Sequence, residues 1–263
     1  MRKNCHIESV TVKGRSVVFS VPSRPSGIIY FLGVGQGKKT VNQLAITHDE
    51  IVFVEALPYL SVPADDIAQF GLDVVAAICD RIGTNVMRIV AAESQAAPLA
   101  VAAITGGILS LPEHVILLSP LGLTTHQFGS TGPVKYKELM RRSRLNWRGK
   151  FMHGLEMGDW QTLFEIVSQS LRHIKNIQPA YTYGASIDIS DQILSLQHKT
   201  NIDIWSSDHD PLFPLHEIRH TLKDASNVHF NRLEGQTHPN RTTTLGLMHL
   251  EQAMGSIVTD EAS

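Results

Sequence analysis

Apolar and polar residues alternate in some segments of this 263-residue chain, and in others the apolar residues run without interruption. Residues 7–12 and 15–21 alternate with a period of two and are joined by a Lys-Gly pair, which predicts a β-hairpin. The continuous apolar runs at 27–32 and 51–56 are typical of strands in a sheet covered on both faces. The pattern therefore predicts a sheet with an antiparallel hairpin at its edge.

Strands and helices alternate through most of the remaining chain. Apolar positions at helical spacing predict a helix over 64–82. Further strands are predicted at 86–92, 115–119, 202–205 and 228–233, and further helices at 95–108, 214–222 and 240–256. This order predicts an α/β fold with an eight-stranded, mostly parallel sheet and helices on both of its faces.

One long segment, residues 121–198, interrupts this alternation. It contains two helical stretches, at about 134–149 and 158–176, and no strand pattern. We therefore predict that residues 1–120 and 199–263 form the core and that residues 121–198 form an inserted helical lid, or cap.

Composition and charge narrow the possible functions. The chain is 43% hydrophobic and 18% charged, as in globular proteins, and its formal net charge of −2 does not favour nucleic acid as a partner. The two cysteines, Cys5 and Cys79, do not suggest a disulfide framework, so we predict a cytoplasmic protein. Its apolar runs are too short for stable membrane insertion. The sequence predicts no oligomeric state.

Ser94 stands where a predicted buried strand runs directly into a predicted helix. Two residues away on either side are the small residues Ala92 and Ala96. Small neighbours allow strand and helix to approach closely around a serine on a sharp turn. A nucleophile and a simple helix cap are both compatible with this position.

Two later loops contain an acid and a histidine. The loop after the strand at 202–205 has Asp210 in an Asp-Pro-Leu-Phe-Pro sequence, with Asp208 as a competitor two residues earlier. The loop after the last predicted strand has His238, three residues after Gly235. The acid's loop could equally be an Asp-Pro turn at the start of a helix.

A glycine-rich loop, Gly33-Val-Gly-Gln-Gly37, follows the strand at 27–32. Glycines let the backbone approach a ligand closely. A phosphate-binding loop is the alternative, although the spacing before Lys38 is too short for a Walker sequence and no helical, small-residue continuation supports a dinucleotide-binding unit.

These four elements, in this order, resemble those of the α/β-hydrolase family. Ser94 matches the nucleophile elbow, usually written G-x-S-x-G, with alanine in place of both glycines. The glycine-rich loop resembles the family's HG-x loop, with Leu32 where histidine is usual. The resemblance implies a Ser94–His238–Asp210 triad and an oxyanion hole formed by the N–H groups of Val34 and Gln95.

The resemblance implies a serine hydrolase that cleaves a carboxylic ester or thioester of a small or acyl-chain substrate through an acyl-enzyme. The chemistry requires no metal and no organic cofactor. Acyl transfer to an acceptor other than water and a lyase reaction are alternatives on the same triad, because the fold does not determine the reaction. A catalytically silent, ligand-binding protein of the same fold is the alternative from another class.

The predicted lid is rich in large apolar and basic residues. Trp147, Phe151 and Trp160 are predicted to contact the substrate, although apolar residues of this kind also pack a lid onto a core. A basic run could attract an anionic substrate or a membrane surface, or could form a solvated helix face. It consists of Lys135, Lys137, Arg141, Arg142, Arg144, Arg148 and Lys150.

Overall fold

The computed structural model describes residues 5–23, 26–155, 157–233, 238 and 252. One eight-stranded sheet organises them, in the order β1-β2-β4-β3-β5-β6-β7-β8. The strands are β1 (His6–Val12), β2 (Arg15–Val21), β3 (Ile28–Phe31), β4 (Val52–Val54), β5 (Ile89–Glu93), β6 (His114–Leu118), β7 (Asn201–Ser206) and β8 (Val228–Arg232).

The sheet is antiparallel at one edge and parallel elsewhere. β1 pairs with β2, and β2 with β4, in antiparallel orientation, whereas β3 to β8 are joined by parallel pairings. The predicted hairpin edge and the predicted eight-stranded, mostly parallel sheet are both confirmed. The parallel order brings the ends of β3, β5 and β7, and the loops that follow them, to one edge of the sheet.

Eight α-helices lie within the described residues. They are α1 (Lys38–Thr47), α2 (Ile67–Ile82), α3 (Ala97–Thr105), α4 (Gly132–His153), α5 (Met157–Arg172), α6 (Ile177–Ser186), α7 (Ser190–Leu196) and α8 (Leu215–Thr221). The predicted closing helix, 240–256, lies outside the described residues except for residue 252, which is helical.

Two apolar cores lie on opposite faces of the sheet. In β3, Ile29 and Phe31 join one core while Tyr30 joins the other, because successive side chains of a strand point to opposite faces. The larger core contains buried side chains of α2, α3, α7 and α8, and the smaller contains those of α1. Helices therefore cover both faces, as the continuous apolar strands predicted.

Helix α1 was not predicted, because the sequence shows no clear helical pattern after the glycine-rich loop. Its buried residues are Thr40, Val41, Leu44 and Ala45, so the apolar stripe is only one turn long and is surrounded by polar residues. A stripe this short gives a weak periodic signal.

Between β6 and β7 the structure is helical. The two predicted stretches, 134–149 and 158–176, correspond to α4 and α5, and α6 and α7 follow them. Pro133 lies in the first turn of α4, where its missing N–H costs no helical hydrogen bond, and Gly154 ends the helix with a positive φ of 88°. Residues from both α4 and α5 face the same cavity as Ser94.

Candidate active site

Ser94 lies on a strained turn at the end of β5, between β3 and β6. Its φ of 54° is in the left-handed region, which a residue with a side chain rarely adopts, and strain of this kind is concentrated at functional sites. Ala92 and Ala96 are both buried where the strand meets the helical turn Ser94–Ala96. No side chain caps this turn or α3, so the structure gives Ser94 no role as a helix cap.

Asp210 is buried in the loop after β7 and is surrounded by donors. Its Oδ1 accepts hydrogen bonds from the backbone N–H groups of Leu212 (2.8 Å) and Phe213 (3.2 Å), and its Oδ2 lies 2.7 Å from Nδ1 of His238. Burial acts to raise the pKa of Asp210, but the His238 ring and these hydrogen bonds outweigh it and hold the pKa below its usual range. Asp210 is therefore a carboxylate poised to accept from His238.

Asp208, the competing acid, has a different partner. Its Oδ2 lies 3.6 Å from Nε of Arg232 in β8, and its side chain is 37% exposed. The structure thus pairs His238 with Asp210 and leaves Asp208 at the surface.

His238 is held on three sides. Its backbone N–H donates to Oδ1 of Asn146 in α4 at 2.8 Å, and its ring meets the Phe213 ring edge-on at 5.4 Å between centroids. Because the Asp210 carboxylate can only accept, Nδ1 of His238 carries the proton and Nε2 is left as an acceptor. An imidazole in this tautomer can take a proton from a nucleophile.

Ser94 and His238 line one cavity but are not hydrogen-bonded to each other among the described residues. In enzymes without substrate, such hydrogen bonds are often long and tighten only in the reacting complex. The arrangement brings the serine, the histidine and its carboxylate to the same edge of the sheet.

Val34 and Gln95 also line this cavity. The Gln95 N–H lies in the first turn after Ser94, where backbone N–H groups have no partner within the helix. None of the residues that the structure describes accepts a hydrogen bond from the Val34 N–H. Both groups can therefore donate to a ligand atom.

The two loops that contain these N–H groups are joined by a side-chain hydrogen bond. Nε2 of Gln36 donates to Oε2 of Glu93 at 3.1 Å, and both side chains are buried. The Glu93 side chain also packs against Gly33, where an added Cβ would lie 3.3 Å from it. This contact fixes the glycine-rich loop relative to the turn at Ser94.

Glycine at position 35 is required by its surroundings. Its φ is +77°, and an added Cβ would lie 2.6 Å from Cγ2 of Thr162 in α5. The glycine-rich loop can therefore pack against α5 only without a side chain at this position.

The phosphate-binding alternative for this loop is not favoured by its electrostatics. The Glu55 carboxyl accepts a hydrogen bond from the Val18 N–H at 2.6 Å, and it also accepts one from the Lys38 N–H at the start of α1. Burial raises the pKa of Glu55 to about 7, and the nearby Glu165 carboxylate contributes in the same direction. An acidic side chain already occupies the helix terminus that would bind a phosphate.

The cavity has a volume of about 510 Å³, which is in the range of small-molecule sites. One wall consists of the loops at the strand ends, with Ser94, and the other consists of helical residues. Apolar side chains from both walls line it, including those of Leu57, Leu99, Leu121, Leu139, Ile166 and Ile187.

Of the three lid aromatics predicted to contact substrate, only Trp147 lines this cavity. Phe151 and Trp160 are each more than half exposed and meet edge-on at 6.2 Å between ring centroids. The reason is helical phase: the α5 residues that line the cavity begin at Thr162, and Trp160 lies two positions earlier, about 200° around the helix. Phe151 and Trp160 therefore do not line the cavity that Ser94 lines, contrary to what a substrate contact would require.

The basic run is not one solvated face. Arg142 is buried and forms a two-pronged ion pair with Glu217 of α8, at 2.8 and 3.0 Å, and its NH1 also donates to Leu212 O at 3.3 Å. Lys150 is buried and lies 2.5 Å from Asp159 of α5. These two residues hold α4 against its neighbours, and the remaining five basic residues lie at partly or fully exposed positions.

Arg142, Asn146 and Lys150 form a buried polar stripe along α4, with one residue on each successive turn. Through Arg142 and Asn146, the stripe contacts both the Asp210 loop and His238. Asn146 was not predicted as a site residue, because the sequence offers only the spacing of four residues, which indicates a shared helix face. No local pattern identifies partners that are 70 and 92 residues away.

Comparison with solved structures places this fold among known proteins. An α/β-hydrolase enzyme from a Medee basin deep-sea metagenome library superposes with a TM-score of 0.65 at 11% identity, over 94% of this chain and 96% of that one. An esterase from a Rhodococcus species gives 0.62 at 13% identity, over 96% and 98%. A thermophilic esterase from Thermogutta terrifontis gives 0.54 at 12% identity, over 98% of both chains.

These similarities show that the chain has the α/β-hydrolase fold, as the resemblance of its motifs implied. No protein-family model and no curated protein sequence matches the chain. In the described part of the chain, no helix is both long and apolar enough to cross a membrane, and no three potential metal ligands form a cluster.

Proposed function

We propose that this protein is a serine hydrolase that cleaves a carboxylic ester or thioester of a small-molecule substrate. Ser94 attacks the carbonyl carbon while Nε2 of His238 takes its proton. The N–H groups of Val34 and Gln95 donate to the resulting oxyanion. The protonated histidine then gives its proton to the leaving oxygen or sulfur, and water releases the acyl group by the reverse sequence.

The observation that carries this proposal is the hydrogen bond between Asp210 and His238 beside the cavity that Ser94 also lines. A buried carboxylate that accepts from Nδ1 orients the ring and stabilises the imidazolium formed during the reaction. The left-handed backbone of Ser94 adds independent support, because such strain persists only where the surrounding structure enforces it.

Asn146 has a positioning role in this proposal. Its Oδ1 accepts from the backbone N–H of His238, and its side chain is 5% exposed. Arg142, one turn earlier on α4, donates to the carbonyl of Leu212, whose N–H in turn donates to Asp210. Helix α4 thereby holds the acid and the base in one geometry, which favours attack from a fixed direction.

The cavity indicates an acyl group of moderate size. Its volume of about 510 Å³ and its aliphatic lining fit an apolar chain, while Glu93 and Lys150 provide polar contacts at its wall. Helices α4 and α5 would form a lid that excludes water and strengthens the hydrogen bonds to the oxyanion. We assign residues 121–198 this role and assign the core to residues 1–120 and 199–263.

Active-site labelling tests the proposal. The wild-type protein should react with a fluorophosphonate and hydrolyse p-nitrophenyl esters, with the label found on Ser94 by mass spectrometry. Ser94→Ala should abolish labelling and lower kcat by at least about 10³-fold, with the fold intact by circular dichroism. Unchanged ester turnover in this variant would contradict the proposal.

Ser119→Ala is the matched control. Ser119 follows the neighbouring strand, β6, also has a positive φ (44°), and is fully buried with its hydroxyl 3.3 Å from that of Ser206. Its loss should alter stability and leave labelling of Ser94 unchanged. If the protein is labelled but transfers the acyl group of an ester only to an added alcohol or thiol and not to water, the acyltransferase alternative is favoured. If it is not labelled, a ligand-binding protein is favoured.

A further inference from the structure

The outer surface of α4 and α5 exposes an unusual amount of apolar side chain. Nine of the twelve large apolar residues that are exposed in the described part of the chain lie between positions 134 and 174. Scattered exposed apolar residues are normal on a protein surface, but a concentration of this kind marks an interaction site.

The apolar residues of α5 form one continuous stripe, which extends into the turn that follows the helix. It consists of Trp160, Phe164, Val167, Leu171 and Ile174, at successive spacings of four, three, four and three residues. Phe164 is 81% exposed and Leu171 71% exposed. The stripe faces away from the cavity, because the cavity is lined by the intervening positions of the same helix, among them Thr162 and Gln169.

Helix α4 has a basic stripe that also faces away from the cavity. The exposed residues Lys137, Arg141, Arg144 and Arg148 follow one another at spacings of four, three and four residues. Arg141 pairs with Glu138 on the same helix, whereas Arg144 and Arg148 have no acidic partner in the described part of the chain. Opposite this stripe, the helix turns Leu139, Trp147 and Lys150 towards the cavity. Each stripe therefore lies on the side of its own helix that faces away from the cavity.

The two stripes meet where α4 ends and α5 begins. Phe151, exposed in the last turn of α4, contacts Trp160 in the first turn of α5, and the neighbouring Met152 is 73% exposed. An apolar stripe containing tryptophan, flanked by arginines, is the composition of helices that lie in the interface of a membrane.

We propose that the outer surface of α4 and α5 binds the surface of an anionic lipid bilayer, with the α5 stripe in the acyl-chain boundary and Arg144 and Arg148 of α4 on the phosphates. Charge favours this partner over a second copy of the chain. In a two-fold dimer the patch meets a second copy of itself, so two surfaces of the same positive charge would be brought together. Anionic phosphates instead neutralise them.

Vesicle binding tests this proposal without any substrate, so its outcome is independent of the proposed hydrolase activity. The full-length protein should co-sediment with vesicles of phosphatidylcholine mixed with phosphatidylglycerol. It should bind pure phosphatidylcholine much more weakly, and added salt should release it. The emission of the half-exposed Trp160 should shift to shorter wavelength on binding, and Trp160→Phe should remove the shift.

Two sets of variants separate the apolar and the basic contributions. Arg144→Ser with Arg148→Ser should weaken binding to anionic vesicles about fivefold per arginine. Phe164→Ser with Leu171→Ser should weaken binding to both kinds of vesicle by about tenfold or more. Leu111→Ser and Lys223→Ser, which change exposed residues elsewhere on the core, are the matched controls and should bind as the wild type does.

Two results would overturn the proposal. One is a wild-type protein that does not bind anionic vesicles or binds both kinds equally. The other is a dimer in analytical ultracentrifugation that Phe164→Ser with Leu171→Ser dissociates, since a second copy would then cover the stripe.

Discussion

On the strand side of the cavity, neighbours along the chain hold Ser94 and Asp210, whereas on the helical side the holding contacts come from distant parts of the sequence. Asp210 accepts from backbone groups two and three residues later, and the turn at Ser94 is formed by its own flanking alanines. Asn146 and Arg142 instead contact residues 92 and 70 positions away. One side is built by local turns, and the other by packing of α4 against the core.

This difference bears on what each side can contribute to the reaction. A group fixed by its own turn keeps its geometry as long as the sheet is folded, so it suits the reacting atoms themselves. A contact between a helix and a loop depends on the position of the helix, so a movement of the helix can change the geometry of the reacting groups. We therefore expect substitutions on the strand side to remove activity and those on the helical side to reduce or redirect it.

The largest effect is expected from Asp210→Asn. The amide is uncharged and can donate its N–H to Nδ1 of His238, which favours the wrong tautomer of the ring and removes the partner charge, so kcat should fall by about 10³- to 10⁴-fold. Steady-state hydrolysis of a p-nitrophenyl ester measures this. Asp208→Asn is the control and should retain activity, since Asp208 pairs with Arg232. Loss of activity in Asp208→Asn alone would mean that the acid is two residues earlier.

A smaller effect is expected from Asn146→Ala. The variant frees the backbone N–H of His238 and should lower kcat/KM by about 10- to 100-fold, mainly through kcat, because small displacements of a catalytic group are costly. Asn146→Asp keeps an oxygen acceptor at the same place and should restore most of the loss. The downfield Nδ1 proton resonance of His238, identified by its absence in His238→Gln, should weaken in Asn146→Ala and return in Asn146→Asp.

Asn176→Ala provides the comparison for a merely structural loss. The Asn176 side chain likewise bonds a backbone group, but it donates, to the Leu60 carbonyl at 2.9 Å, and it forms no hydrogen bond with His238. Asn176→Ala should lower the melting temperature about as much as Asn146→Ala does, and it should leave kcat and the His238 resonance unchanged. If Asn146→Ala behaves in the same way, α4 supports the fold only.

The same contrast explains what could be predicted from the sequence. Strands buried on both faces leave continuous apolar runs, so the sheet could be predicted from the sequence. The order of Ser94, Asp210 and His238 could also be predicted, because each follows one of those strands. The buried partners of Arg142 and Lys150 were not, because the sequence of a helix shows its charges but not the acid that meets them. The exposure of Phe151 and Trp160 could not be read from the sequence for a related reason: an apolar side chain fits a pocket, a packing contact or an exposed patch equally well.

The smallest predicted effect concerns acyl-chain preference and tests this last distinction. Trp147 lines the cavity on α4, with Nζ of Lys150 5.7 Å from its ring centroid, whereas Phe151 and Trp160 lie on the outer surface. Trp147→Ala should enlarge the cavity and shift the ratio of kcat/KM for long over short p-nitrophenyl esters by about tenfold, since a few methylenes in an apolar pocket are worth that much. Phe151→Ala and Trp160→Ala should leave this ratio unchanged and should weaken vesicle binding instead. If all three variants shift the ratio equally, the outer aromatics reach the substrate, and the inward and outward faces assigned to α4 and α5 are wrong. If none does, Trp147 only packs the helices together, and the acyl chain lies elsewhere in the cavity.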